Sequence, residues 1–154
     1  MLGYNLGPDS MDRKIACLLM EDSTLTSAQI GEIVGLSSSA ANERVRKMKK
    51  DGYIKKFVAI LDSKFMEMEL GAFISVWTEC GNNDNFPECV KDNINILECH
   101  RITGSASYLL KVRCKNTKDL DDLTINFLKK QPGVTRTITQ IIMSADKEKS
   151  FIID

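Results

Sequence analysis

An α+β chain of two domains is expected from three features of the residue pattern. Apolar residues recur at helical spacing over three short segments in the first third of the chain. Runs of β-branched and aromatic residues then alternate with two further helical segments in the order β-α-β-β-α-β. Between these parts lies Asp62 to Leu70, a mixed stretch with two methionines that fits neither pattern. The expected division is a first domain over 1–61, a linker over 62–70 and a second domain over 71–154. A chain of 154 residues accommodates two small domains.

The first helix is expected to begin at Asp9 or Ser10, just after Pro8, with either side chain able to cap it. Ile15, Leu18 and Leu19 form its apolar stripe. Thr26 with Gln29 three residues on reads as a capping box for a second helix. Ile30, Ile33 and Val34 are its expected buried face, and Gly35 offers the left-handed conformation that stops it. Ser37 can cap a third helix, with Ala41, Val45 and Met48 inward and Gly52 at its end. Tyr53 to Leu61 is rich in β-formers and reads as a two-stranded wing or a linker strand. Three helices followed by a ribbon make a winged helix-turn-helix.

The second part begins with a strand at Gly71 to Thr78. A weaker helix runs from Phe86 to Asn93, with Pro87 in its first turn. Strands at Leu97 to Thr103 and Tyr108 to Cys114 flank a turn at Gly104 to Ala106. Leu120, Leu123, Phe127 and Leu128 give a helical stripe closed by Gln131-Pro132-Gly133, and Val134 to Met143 is the last strand. This order is the ferredoxin-like split βαβ arrangement, whose sheet carries helices on one face. Phe73, Ser75 and Trp77 share one side of the first strand, and Ala72, Ile74 and Val76 share the other. Both sides are largely apolar, so the uncovered face is expected to be buried by a second copy. Phe73, Ile74, Val76 and Trp77 are the candidate dimerisation residues.

Composition excludes several classes. Hydrophobic content of 43% and charged content of 27% describe a globular chain. No apolar run is long enough to span a bilayer, and the N-terminus does not read as a secretory signal. The expected location is the cytoplasm. The five cysteines (Cys17, Cys80, Cys89, Cys99 and Cys114) include no Cys-x-x-Cys pair and read as reduced core thiols. Cys99 and His100 are adjacent, but strand neighbours face opposite ways and make a poor metal pair. No metal cluster, glycine-rich phosphate loop or Ser/Cys-His-Asp set is present in the sequence, so neither an enzyme nor a cofactor is expected.

Net charge is zero, yet Ser38 to Lys56 holds seven positive residues against two negative ones. That local excess at a helix-turn-helix is the footprint of a phosphate-contacting patch, with double-stranded DNA as partner. With Ala41, Val45 and Met48 inward, the outward set includes Ser39, Asn42, Glu43, Arg46, Lys47 and Lys50. Ser38, Ser39 and Asn42 lie early, where a recognition helix meets base edges. Glu43 reads either as a base contact or as a carboxylate orienting Arg46 or Lys47 at helical spacing. Arg46, Lys47 and Lys50 are placed for phosphates, with Lys55 and Lys56 contributing from the wing.

From Met11 to Ile142 the chain resembles the Lrp/AsnC, or feast/famine, transcription regulators. In the first domain the resemblance rests on Asp12-Arg13-Lys14-Ile15, Ile33-Val34-Gly35-Leu36-Ser37, Glu43-Arg44-Val45-Arg46-Lys47-Met48 and Asp51-Gly52-Tyr53-Ile54. In the second it rests on Glu98-Cys99-His100-Arg101-Ile102-Thr103-Gly104, Tyr108-Leu109-Leu110-Lys111-Val112 and Pro132-Gly133-Val134. The resemblance implies a homodimer assembling to a tetramer or octamer, and control of amino-acid metabolism. It also implies an amino-acid-like effector bound in clefts between dimers, bordered by the loop Gly104 to Tyr108.

One position departs from the family pattern. The loop usually reads Gly-x-x-Asp-Tyr, and here Ser107 stands in place of the acid. A carboxylate can pair with a ligand ammonium group, whereas a hydroxyl offers a neutral hydrogen bond. Gly104 would receive a carboxylate on its amide, and Thr135 and Thr137, alternating with Thr139 along the last strand, would supply hydroxyls. Glu98 is the substitute acid. The competing reading is a DNA-architectural protein of low sequence preference that has lost effector control.

Overall fold

The computed structural model describes residues 7–79 and 85–148. The chain forms two compact units, the first running to Ile60 and the second beginning at Leu61. Cys80 lies outside the described residues; Cys17, Cys89, Cys99 and Cys114 are free thiols. Among the described residues no helix is long and apolar enough to cross a membrane.

The first unit is three helices: α1 (Ser10–Glu21), α2 (Ser27–Val34) and α3 (Ser38–Lys50). Each start is set by its own cap. Asp9 and Asp12 make a reciprocal capping box on α1, Thr26 and Gln29 make one on α2, and the Ser37 hydroxyl accepts from the Ala40 amide on α3. Each such cap contributes about 1 kcal/mol. The turn between α2 and α3 is tight for two reasons. Gly35 has φ +77°, and a Cβ on Gly31 would lie 2.6 Å from the Leu36 carbonyl oxygen. Ile15, Leu19, Ile30, Val34, Ala41 and Met48 form the core, with Leu18 and Val45 partly buried against it.

Two expectations are corrected in this unit. Ile33 is half exposed, not part of the buried face of α2. Ile30 and Val34 are one helical turn apart and define the inward stripe, and the buried Gly31 beside them lies against the backbone of Leu36 and Ser37. The segment after α3 carries no strand: residues 55–61 belong to no ladder. Its apolar residues Val58, Ile60 and Leu61 are exposed. A strand needs a partner for its amide groups, and among the described residues none meets it there.

The second unit is a four-stranded antiparallel sheet in the order β2-β3-β1-β4, with β1 at Leu70–Thr78, β2 at Ile96–Arg101, β3 at Tyr108–Cys114 and β4 at Val134–Ile141. This is the expected ferredoxin-like topology. The connections are α4 (Phe86–Val90) and α5 (Thr117–Asp122), and α5 continues through a wide π turn at Leu123–Phe127 and a 3-10 turn at Leu128–Lys130. The first connection is shorter than the Phe86 to Asn93 expected. Residues 62–68 form a turn in which the Met68 amide donates to the Ser63 carbonyl.

Register decides which residues share a face, since directly opposed residues point the same way. Val76 opposes Tyr108 and Thr137; Ile74 opposes Leu110 and Thr139. These belong to the helix-covered side, where Ala72, Ile74, Val76, Tyr108, Leu110, Val112 and Leu128 form the core. Contrary to expectation, Ile74 and Val76 are fully buried inside their own domain and have no surface to offer a second copy. Phe73 and Trp77 lie on the other side with Leu109, Lys111, Arg136, Ile138 and Gln140. That side is open in the single chain: Phe73 and Ile138 are 37% and 38% exposed.

Candidate nucleic-acid interface and effector loop

The exposed side of α3 is assembled by its packing. Burial of Ala41 and Met48 turns Ser38, Ser39, Glu43, Lys47 and Lys50 outward, all exposed; Arg46 is exposed as well. Asn42 is exposed and sits one turn from Ser38 and Ser39, so these three polar side chains stand together at the start of the helix. Ser39 Oγ lies 3.1 Å from Ser37 Oγ, which ties it to the cap. Glu43 makes no ion pair with Arg46 or Lys47 among the described residues. Its orienting role is therefore not present in the free chain.

The seven cations divide into two sets. Arg44 is bound by Asp9 and Asp12 at 2.8 Å each. Lys49 Nζ lies 5.4 Å from the centre of the Phe57 ring, a cation–π contact that holds the trailing segment against α3. Arg46, Lys47, Lys50, Lys55 and Lys56 have no such partner among the described residues, and all are exposed. Neither engaged cation was legible as such in the sequence. Asp9 and Arg44 are 35 residues apart, and Asp9 signals only a helix cap locally.

The candidate effector residues do not gather into one cleft of the single chain. Gly104 has φ +115° in an exposed turn with open space around its Cα. Ser107 turns back to β1: its Oγ accepts from the Thr78 amide at 3.1 Å, and its own amide donates to the Val76 carbonyl at 2.9 Å. The hydroxyl thus serves the end of the β1–β3 ladder. Tyr108 is buried, not facing a cleft. Its ring packs on Phe86 with centroids 4.9 Å apart.

Thr135 is the extra residue where the β1–β4 register shifts, and its hydroxyl donates to the Trp77 carbonyl at 3.2 Å. That shift breaks the alternation expected from Thr135 through Thr139. Thr137 sits on the helix-covered side, partly buried. Glu98 opposes Lys111 on the open side, with Oε2 2.8 Å from His100 Nε2 and Oε1 3.7 Å from Lys111 Nζ. Its charge is shared within the sheet. Ser107 and Thr135 each bind the backbone at the end of β1, on its β3 and β4 sides respectively. No group of three or more possible metal ligands occurs among the described residues.

A helix-turn-helix with a cationic outer face, followed by a separate ferredoxin-like domain, defines a transcriptional regulator built from a DNA-binding and a ligand-binding part. A winged helix-turn-helix DNA-binding family model matches residues 8–55, and the Lrp/AsnC ligand-binding domain model matches residues 71–150. The chain belongs to the Lrp/AsnC family of transcriptional regulators. It is 32% identical to an HTH-type transcriptional regulator of Pyrococcus horikoshii, over 91% of this chain and 92% of the relative. It is 29% identical to the leucine-responsive regulatory protein of Escherichia coli K12, over 94% and 90%. Among solved structures it is similar to an AsnC family transcriptional regulator from Agrobacterium tumefaciens. That match has a TM-score of 0.87 at 29% identity and covers 94% of this chain and 96% of that one.

Proposed function

We propose that this chain regulates transcription by sequence-specific binding of double-stranded DNA as a homodimer, in the cytoplasm, with amino-acid-related genes among its targets. One observation carries the reading. Ser38, Ser39 and Asn42 stand at the start of α3, and the uncommitted cations Arg46, Lys47, Lys50, Lys55 and Lys56 follow them. Short polar side chains suit base edges, and the cations suit phosphates. The open sheet side bearing Phe73 and Trp77 supports pairing of two copies, which presents two recognition helices to two half-sites. Assembly to a tetramer or octamer, and an effector bound between dimers, extend the same reading.

The test is retention of genomic fragments, sequenced with and without pooled amino acids. A specific regulator keeps a ratio of about 10³ or more between retained and random DNA at physiological salt. Equal affinity for both would instead support the architectural reading, in which DNA is bound with little sequence preference. The use of the Ser107 hydroxyl by Thr78 favours the loss of effector control in that reading.

A further inference from the structure

Asp9, Asp12 and Arg44 form a closed network. Arg44 Nη1 donates to Asp9 Oδ2 and to Asp12 Oδ1, each at 2.8 Å. The remaining oxygens close the cap of α1. Asp9 Oδ1 accepts from the Asp12 amide at 2.8 Å, and Asp12 Oδ2 accepts from the Asp9 amide at 3.2 Å. Every carboxylate oxygen therefore has a donor. The Asp12 side chain is 13% exposed, that of Arg44 34% and that of Asp9 54%, so water competes chiefly at Asp9. Beside it, Asp12, Lys47 and Asp51 line one small hollow, so the network adjoins a cation of the outer face.

A guanidinium held by two carboxylates has its charge more than matched and has little to offer a phosphate. What it does supply is direction. The other contacts between α1 and α3 are apolar, through Ile15, Ala41 and Met48, and apolar burial is non-directional. Charge-assisted hydrogen bonds from the middle of α3 to the first turn of α1 fix the rotation of α3 about its own axis. That rotation decides whether Ser39, Asn42 and Arg46 point outward together.

We propose that Arg44 is a positioning residue: with Asp9 and Asp12 it sets the orientation of the recognition helix and makes no phosphate contact. The proposal rests on the reading of α3 as the DNA-binding helix. The Asp9 carboxyl is held below its ordinary 3.8, chiefly by the hydrogen bond from Arg44, which supplies a readout without DNA.

The experiment compares the full chain with Arg44→Ala, Asp12→Asn and Asp9→Asn on one retained DNA fragment across a salt series. Arg44→Ala should lower affinity about tenfold and leave the salt slope unchanged, whereas loss of a phosphate contact reduces the slope by about one unit. Asp12→Asn should also weaken binding, although it removes a negative charge. Asp9→Asn keeps a capping side chain of equal quality and should act in the same direction with the helices intact by circular dichroism. A reduced slope in Arg44→Ala, or tighter binding by Asp12→Asn, overturns the proposal. In the free protein, NMR titration of the Asp9 carboxyl should show its midpoint rising toward 3.8 in Arg44→Ala; an unmoved midpoint overturns the clamp itself. A parent chain that retained no fragment would sink the DNA reading and the positioning role with it, while the Asp9 shift would still report whether the network exists.

Discussion

Helix α3 and the loop between β2 and β3, the two candidate sites, are built on opposite logic. In α3 the exposed polar face is mostly the remainder after burial: with Ala41 and Met48 inside, helical geometry leaves the polar residues outward. At the end of the loop between β2 and β3, side chains are engaged by residues distant in sequence. Ser107 binds Thr78, 29 residues away in sequence, and Tyr108 is turned into the core against Phe86. The exposed face of one helix is thus set mostly by its own periodicity, with Arg44 and Lys49 tied to α1 and to the trailing segment. A site on a sheet edge depends on register, on a bulge and on whatever covers the open side.

The two sides of β1 give the largest difference. Val76→Asp places a charge in the sealed core and should unfold the second unit, costing about 4 kcal/mol or more. Trp77→Asp, one residue on, should leave the domain folded but abolish self-association, and should lower DNA affinity about 100-fold through lost bivalence. Sedimentation beside thermal unfolding separates the two. A folded Val76→Asp protein, or a Trp77→Asp protein that still dimerises, would contradict the assigned sides.

The effector loop is next. Ser107→Asp restores a carboxylate at the end of β1, and one charge-assisted hydrogen bond is worth about 1.5–3 kcal/mol. Calorimetry with the twenty amino acids should find weak or no binding to the parent and a measurable gain in the variant. Micromolar binding by the parent that survives Glu98→Gln would show that the missing acid matters little here.

Smaller effects are expected on α3. Asn42→Ala should relax the preferred base at its position, a loss of about 1–3 kcal/mol of discrimination. An unchanged binding motif would remove Asn42 from the reading set. Lys47→Ala should weaken binding to all sequences alike and reduce the salt slope by about one unit. If affinity and slope both stayed as in the parent, Lys47 would not be a phosphate contact.

Most helix starts and turns were legible in the sequence because their signals are local. Asp9, Thr26 with Gln29, and Ser37 cap within three residues, and Gly35 takes its left-handed conformation in place. Strand β3 was legible to the residue, since it runs between a glycine turn and a polar break. The segment with the excess of positive charge and the βαββαβ order of the second half can also be read directly from the residues. Which cations remain available cannot, because the partners of Arg44 and Lys49 come from segments whose local role is different and meet them only in the folded chain. The tertiary structure alone placed Ile74 and Val76 inside and Phe73 and Trp77 outside, since alternation separates two faces but does not say which one the helices cover. It alone showed residues 55–61 without a strand, because β-propensity becomes a strand only when a second strand meets its backbone groups.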